Sequence, residues 1–414
     1  MKRRTLLGGA IAAAVIGFAS GALAEDGPIK IGMSMAQTGG LAAAGKSSLL
    51  GIQIWRDDIN AKGGLLGRKV ELVVYDDKSS AAETPAIYAK LLDVDKVDIL
   101  FAPYATVPTA PLLPVVKQRG LLLMGNFSYQ VNSKVHHDMW FNNAPWGPPD
   151  AQASEYLGLG KKAGGKTIAL LTADQEFAQN LAGNARDVAK KMGLEIVYDQ
   201  SYPPTTTEFS AIVRALQAAK PDIVYIASYP PDSAGILRAV NEIGIGDNVK
   251  LFGGGMVGLQ NAAVMDGMGS LLNGVVNYNT WLPEKSMYFD GTKAYFETYA
   301  KRAVEAKVDP LGFYISPYGY AMGQLLEQAV NATKSLDQKA IAKYLHEHEF
   351  NTIVGPISFD ADGEWKVGST LMAQFRNVAD KNLDQFRQPG KQVILAPDRL
   401  KTGDLALPFE AQRK

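Results

Sequence analysis

Residues 29–75 decide the fold of this chain, reading IKIGMSM at 29–35, LLGIQIWRDDIN at 49–60 and VELVVY at 70–75. The first and third runs are short and apolar, while apolar residues in the middle run recur at helical spacing. The third run does not alternate cleanly between apolar and polar residues, and neither does LLLM at 121–124, which is typical of strands covered on both faces. Strand, helix and strand in this order predict a parallel pair joined by a right-handed crossover.

The same order continues along the chain and then restarts. The first array adds predicted helices over 85–92 and 109–118 and predicted strands over 97–101 and 121–124. The second array has predicted strands over 167–171, 195–198, 223–226, 249–252 and 274–276, with helices over 181–192, 209–219 and 233–243. Two arrays in tandem predict two α/β lobes. Helical stretches over 295–304, 318–332 and 338–346 follow without strands between them, so we expect them to complete a lobe already begun.

The first 24 residues predict an export signal. Lys2, Arg3 and Arg4 precede an uncharged run over 6–22, and Ala22-Leu23-Ala24 is a small-x-small cleavage site. The Arg3-Arg4 pair leaves the twin-arginine route open beside the general one. We therefore expect cleavage after Ala24, a mature chain in the periplasm and no stable insertion into the membrane.

Composition limits the possible functions further. The 414 residues exceed what one core usually supports, which again favours two lobes. Lys and Arg number 42 and Asp and Glu number 42, without a basic tract, so nucleic acid and anionic lipid are not expected partners. The absence of cysteine excludes disulfides, thiolate zinc sites and cysteine nucleophiles.

Two glycine motifs suggest nucleotide chemistry. Residues 40–47, GLAAAGKS, match the phosphate-loop pattern, so a nucleotide hydrolase is the alternative of another class. Export argues against it, and a glycine loop that lines a ligand at a helix start explains the same residues. Residues 253–258, GGGMVG, match a dinucleotide pattern but lack the acidic residue expected about 20 positions later, so we interpret them as a flexible loop. The four histidines have no chelating spacing, and no catalytic residues, metal or cofactor are expected.

A family resemblance appears at residues 59–68, INAKGGLLGR. Together with IKIG at 29–32, VVYDD at 73–77 and VGPISFDADG at 354–363, this segment resembles the branched-chain amino-acid-type periplasmic binding proteins of ABC importers. The resemblance implies a type I periplasmic binding fold with three crossover segments. Lobe 1 would hold 27–147 and 280–353, and lobe 2 would hold 148–279 and 354–414. The implied partners are a small-molecule ligand and an inner-membrane ABC permease. The chain itself is expected to be a monomer. A sensor protein with the same fold stays an alternative function.

The resemblance also implies where the ligand binds. Carried over by position, the candidate ligand-binding residues are Tyr104, Ala105, Thr106, Phe127, Ser128, Tyr129, Trp146, Phe177, Tyr229, Gly255 and Met256. Thr106 resembles the hydroxyl residue that holds a ligand carboxylate. Gly255 aligns where amino-acid-binding members carry an acid that pairs with the α-ammonium, so an ammonium would lack its counter-charge unless Asp174, Glu176 or Asp232 supplies one. We therefore expect a small aromatic or branched aliphatic carboxylate as the ligand, with an amino acid or amide as the alternative.

Overall fold

The computed structural model describes residues 27–412, which form two sheets, each covered by helices. The predicted signal peptide and its cleavage site after Ala24 lie outside the described residues. The two-lobed α/β fold predicted from the sequence is confirmed.

The first sheet has five parallel strands in the order β2-β1-β3-β4-β5. They are β1 (Ile29–Met35), β2 (Val70–Asp76), β3 (Ile99–Tyr104), β4 (Leu123–Asn126) and β5 (Trp140–Asn143). Every residue of β3 and β4 is buried, because helices cover both faces of these inner strands.

The second sheet has seven strands in the order β14-β13-β10-β9-β8-β6-β7. Its parallel strands are β6 (Thr167–Ala173), β7 (Glu195–Tyr202), β8 (Ile223–Ser228), β9 (Leu251–Met256) and β10 (Val276–Asn279). A separate hairpin of β11 (Phe350–Thr352) and β12 (Gly355–Ile357) precedes the antiparallel strands β13 (Leu371–Phe375) and β14 (Gln392–Ala396).

Thirteen α-helices occur within residues 27–412, and those of the first lobe come from two separate parts of the chain. Near the start are α1 (Ala42–Ala61), α2 (Thr84–Asp93), α3 (Thr106–Thr109), α4 (Leu113–Gln118) and α5 (Asn132–Val135). The second lobe has α6 (Ala151–Lys162), α7 (Glu176–Met192), α8 (Ser210–Ala218), α9 (Pro230–Ile243) and α10 (Ala262–Met268). The chain then returns to the first lobe with α11 (Thr292–Ala306), α12 (Ser316–Thr333) and α13 (Gln338–Glu347).

Close packing of α12 on α1 fixes this return. A Cβ on Gly323 would lie 2.0 Å from the Trp55 ring, and one on Gly51 would lie 2.1 Å from the Ser316 carbonyl oxygen. Trp55 Nε1 also donates a hydrogen bond to Glu327 Oε2 at 3.1 Å. The helical stretches after β10 therefore complete the first lobe, as the sequence predicts, and the chain passes between the two sheets three times.

The prediction of one helix over 109–118 is wrong. The chain forms α3 and α4 here, separated by a turn at 110–112. Pro111 has no N–H to donate within a continuous helix, and Pro114 lies in the first turn of α4, where a missing donor costs little.

The prediction of a flexible loop over 253–258 is also wrong. Gly253, Gly254 and Gly255 are buried inside β9, which begins at Leu251 and ends at Met256. A side chain on Gly254 would lie 2.6 Å from the Tyr225 ring, so this glycine lets the ring cover the strand. The strands β5, β13 and β14 have no counterpart in the sequence prediction.

Candidate ligand-binding site

A cleft lies where the carboxyl ends of the parallel strands in the two sheets meet. Three adjoining depressions there share Leu41, and together we call them the interlobe cleft. Its innermost part, the inner pocket, is lined by Leu41, Tyr104, Ala105, Thr106, Phe127, Phe177, Tyr229, Val257 and Tyr314. Open parallel sheets bind their ligands at this edge.

The inner pocket brings together six of the eleven residues expected from the sequence. These six are Tyr104, Ala105, Thr106, Phe127, Phe177 and Tyr229. The other five are buried but lie outside the lining of the interlobe cleft, namely Ser128, Tyr129, Trp146, Gly255 and Met256.

Ala105 joins β3 to α3 in a left-handed conformation, with φ +81°. This conformation is unfavourable for a residue with a side chain, so its surroundings must hold it. The Ala105 N–H donates to the Asn126 carbonyl at 3.1 Å, and its carbonyl accepts from Thr109 Oγ1 at 2.7 Å. The turn directs the next residue, Thr106, into the inner pocket.

Thr106 is 1% exposed, and within residues 27–412 its side chain has one hydrogen bond. Its Oγ1 accepts from the backbone N–H of Tyr129 at 2.9 Å. Within residues 27–412 we find no acceptor for the Thr106 hydroxyl proton. A hydroxyl can donate while it accepts, so this proton is available to a ligand.

Phe127 forms an aromatic wall of the inner pocket. It follows β4 with φ +59°, a second strained position next to the pocket. Its ring makes edge-to-face contacts with the rings of Trp146 at 5.3 Å, Tyr314 at 5.3 Å and Tyr318 at 4.8 Å between centroids. Such contacts hold the ring in one orientation.

Ser128, Tyr129 and Trp146 support this wall from behind. The Ser128 carbonyl accepts from Trp146 Nε1 at 2.9 Å, and the Tyr129 ring lies edge-to-face to the Trp146 ring at 5.7 Å. Tyr129 OH also accepts from Asn184 Nδ2 of α7 at 2.9 Å, which links the first lobe to the second.

The second lobe contributes Phe177, in the first turn of α7, and Tyr229, which precedes α9. Asp232 fixes the position of Tyr229 by accepting its backbone N–H at 3.1 Å in a capping box. Tyr202 OH donates to the same carboxylate. Burial raises the pKa of Asp232, and these hydrogen bonds occupy its oxygens.

The carboxyl end of β9 presents Val257, rather than Gly255 or Met256, to the cleft. A Cβ on Gly255 would lie 3.0 Å from Leu181 Cδ1, so this position faces α7. The Met256 backbone N–H donates to Asn277 Oδ1 at 2.9 Å. Val257 is 5% exposed and lines the inner pocket, so an apolar side chain occupies this end of the strand.

No charged side chain is among the nine that line the inner pocket. Asp232 and Asp309 line neighbouring parts of the cleft. Asp309 Oδ2 accepts from the N–H of Ala262 at 2.8 Å, and its Oδ1 accepts from those of Leu311 at 2.9 Å and Gly312 at 3.0 Å. Both carboxylates are therefore already engaged by the protein.

The sequence reasoning missed Leu41, Val257 and Tyr314 as lining residues. Leu41 lies in the glycine-containing loop between β1 and α1, so its position between a strand and a helix could have indicated it. Val257 lies within the segment 253–258 that was predicted to be a flexible loop, directly after the observed end of β9. Tyr314 belongs to the returning stretch between α11 and α12, where no pattern in the sequence predicts a contact with β3.

The phosphate-loop motif lies on a helix. Because α1 begins at Ala42, Gly45 and Lys46 are already helical, and the Lys46 side chain is exposed. A phosphate loop needs these residues in an open turn around the phosphate. Gly40, Leu41, Ala43 and Ala44 line the interlobe cleft instead, which agrees with a glycine loop beside a ligand.

Metal-binding and membrane-spanning features are absent from residues 27–412. No group of three or more His, Asp or Glu side chains in this range could hold a metal ion. None of its helices is both long enough and apolar enough to cross a bilayer.

Comparison with known proteins adds three kinds of similarity. A family model described as periplasmic binding protein matches residues 28–380. The Leu/Ile/Val-binding protein of Escherichia coli K12 is 27% identical over 369 residues, which cover 88% of this chain and 94% of that protein.

Two solved structures share the fold. The branched-chain amino acid transporter substrate-binding protein LivJ of Streptococcus pneumoniae, in complex with isoleucine, has a TM-score of 0.72 at 22% identity, covering 84% of this chain and 96% of that one. An ABC transporter solute-binding protein of Rhodopseudomonas palustris, in complex with benzoate, has a TM-score of 0.71 at 17% identity, covering 89% and 96%.

Proposed function

The chain belongs to the periplasmic binding protein family, and on this premise we propose that it is the extracytoplasmic receptor of an ABC importer for a small carboxylate. The body of the ligand is aromatic or branched aliphatic, and the receptor closes its two lobes on it without chemical change. One observation carries this choice: the inner pocket combines a free hydroxyl proton at Thr106 with apolar and aromatic walls and no charged side chain.

The carboxylate binds at Thr106. A hydroxyl donor next to the strained Ala105 turn suits an anionic oxygen, because the Tyr129 N–H fixes the direction of the remaining Thr106 proton. The residue is buried, so the hydrogen bond forms away from competing water.

The ligand body binds among Phe127, Phe177, Leu41 and Val257. Phe127 belongs to the first lobe and Phe177 to the second, so a flat or branched apolar group touches both lobes at once. An aromatic contact contributes about 0.5–1.5 kcal/mol beyond area burial. Only the closed form makes both sets of contacts, so the ligand favours closure.

An α-amino acid is the second candidate, because the similar protein of Escherichia coli is named for binding leucine, isoleucine and valine. Its ammonium group would enter a pocket whose lining has no carboxylate, while the nearby Asp232 and Asp309 are engaged elsewhere. Burying a charge without a partner costs several kcal/mol. This cost is the reason for ranking the acid first.

Ligand panels test the proposal. Benzoate, 4-methylpentanoate, leucine and valine are added to the mature protein in thermal-shift and calorimetric titrations. We expect the two acids to raise the melting temperature more than the two amino acids do. Thr106→Ala should then weaken acid binding by about 1–3 kcal/mol, because a hydrogen bond to a charged group is lost, while Thr106→Ser should retain most of it.

Stabilisation by leucine or valine alone would refute the carboxylate proposal. Equal affinity of Thr106→Ala and the parent for the acids would remove the assignment of Thr106. Periplasmic localisation, the monomeric state and the lobe boundaries at 147, 279 and 353 stay predictions.

A further inference from the structure

Three tyrosine hydroxyls meet at one end of the interlobe cleft. Tyr104 OH donates to Tyr314 OH at 3.3 Å, and the hydroxyls of Tyr314 and Tyr278 lie 3.3 Å apart. We call these residues the tyrosine chain. Tyr104 ends β3 in one sheet and Tyr278 lies one residue before the end of β10 in the other, so the tyrosine chain spans both lobes.

The tyrosine chain has one hydroxyl proton more than the hydrogen bonds that join it. Three hydroxyls carry one proton each, and two hydrogen bonds join them. Within residues 27–412 no further acceptor is found for these hydroxyls, so one O–H proton is left over. Burial raises the pKa of all three well above the ordinary tyrosine value, so they are neutral donors at physiological pH.

Gln260 supplies the complementary acceptor. Its amide nitrogen donates to the Tyr278 carbonyl, while its Oε1 is buried and has no hydrogen-bond partner in the described part of the chain. The residue is 7% exposed and lines the cleft together with Tyr104 and Tyr314. An unpaired buried acceptor costs about 1–3 kcal/mol, which a ligand donor would recover.

Tyr229 adds a second spare donor on the other side of the inner pocket. Its hydroxyl is buried, and within residues 27–412 no acceptor is found for its proton. Tyr229 lines the inner pocket together with Tyr104 and Tyr314. The inner pocket and the adjoining part of the cleft thus offer spare hydrogen-bonding groups beside their aromatic walls.

We propose that this end of the cleft is a binding site for a hydroxyl group of the ligand, which accepts from the tyrosine chain and donates to Gln260 Oε1. A hydroxyl both donates and accepts, whereas an amine accepts poorly and a carboxylate cannot donate. Asp309, the charged residue in the nearby lining, already accepts a hydrogen bond from the Ala262 N–H, so the site takes a neutral group. This inference rests on the proposed function, because it names a second polar group on the acid held at Thr106.

Matched ligand pairs test this site. The first pair is 4-hydroxybenzoate and 4-methylbenzoate, and the second is 4-hydroxypentanoate and 4-methylpentanoate; each pair exchanges a hydroxyl for a methyl group of similar size. Calorimetric titration should give about tenfold or greater preference for the hydroxy acid in at least one pair, because the methyl group leaves the buried polar atoms unpaired.

Tyr314→Phe removes the central hydroxyl of the tyrosine chain. In this variant the ratio of the affinities for the hydroxy acid and the methyl acid should be close to one. Tyr295→Phe is the matched control, because Tyr295 is also a buried tyrosine with an unpaired hydroxyl but lies outside the lining of the cleft. The control should keep the preference of the parent. Measuring the ratio within each variant separates recognition of the hydroxyl from a general loss of folded protein.

Two outcomes overturn the inference in different ways. If the two acids bind with equal affinity in both pairs and Tyr314→Phe changes neither ratio, the hydroxyl site is wrong while the acid proposal stands. If none of the four acids binds and leucine does, the proposed function fails and the hydroxyl site fails with it. A 4-aminobenzoate affinity equal to that of 4-hydroxybenzoate would also refute the assignment to a hydroxyl.

Discussion

Glu364 should make the stability of this protein fall as the pH rises towards 8. Its carboxyl group accepts hydrogen bonds from Trp140 Nε1 at 3.3 Å and Asn142 Nδ2 at 2.8 Å, which hold the segment after β12 against β5. Burial raises the pKa of Glu364 to about 8, and the neighbouring carboxylates of Asp360 and Asp362 also raise it. The folded protein therefore binds a proton here that the unfolded chain releases.

The pH range and size of the effect follow from this difference. The ordinary pKa of the group is 4.5. The stability contributed by the bound proton is fully present below pH 4.5 and is lost as the pH rises through about 8. A difference of about 3.5 pH units corresponds to about 5 kcal/mol for complete burial. Because part of the Glu364 residue is in contact with solvent, we expect about 2–3 kcal/mol.

Glu364→Gln removes the titrating group and keeps its shape. Near pH 5 we expect the variant to be about 1 kcal/mol less stable than the parent, because the amide presents an N–H to one of the two donors. Near pH 8 we expect it to be more stable, so the two curves of unfolding free energy against pH should cross. Urea denaturation at pH 5, 6, 7 and 8 measures this, with Glu305→Gln at an exposed position of α11 as the control. Parallel curves for Glu364→Gln and the parent would refute the reasoning.

Two further predictions concern closure and the nucleotide alternative. Asn184→Ala should weaken ligand binding about fivefold, because it removes the hydrogen bond from Asn184 Nδ2 to Tyr129 OH that joins the two lobes. Gln179→Ala removes hydrogen bonds within one lobe only and should leave the affinity measured by titration unchanged. Equal affinities of the parent and both variants would contradict this role of Asn184. Lys46→Ala should leave the affinity for the acid within about twofold of that of the parent, because the Lys46 side chain is exposed and lies outside the lining of the cleft. If the parent binds ATP and the variant does not, the nucleotide hydrolase hypothesis is supported instead.

The fold was predictable from the sequence because most of its strands can be recognised from their own runs of residues. Runs such as 121–124 and 223–226 are apolar on both faces and separated by helices of clear period, so order alone predicts parallel sheets. The edge strand β5 was not predictable in this way, since Trp140–Asn143 ends in two asparagines. The glycines of β9 also misled the prediction, because glycine usually indicates a turn and here admits the Tyr225 ring.

The inner pocket was only partly predictable because its residues converge from distant parts of the chain. Thr106 and Phe127 directly follow strands, so their place at the sheet edge could be inferred from topology. Tyr314 reaches the Tyr104 hydroxyl across 210 positions of sequence, and no local pattern carries that information. Burial of Trp146 behind Phe127 likewise depends on packing that the sequence order does not specify.

The proposed hydroxyl site should couple recognition to closure, because the members of the tyrosine chain belong to opposite lobes. Tyr104 and Tyr314 are held by the first lobe, whereas Tyr278 and Gln260 belong to the second. A ligand carboxylate at Thr106 can bind to the first lobe alone, but a ligand hydroxyl meets its donor and its acceptor only when the lobes are together. A ligand shifts a conformational equilibrium only by its difference in affinity for the two states. An acid without the hydroxyl should therefore bind and yet close the receptor less completely, so the group that identifies the ligand also stabilises the closed form.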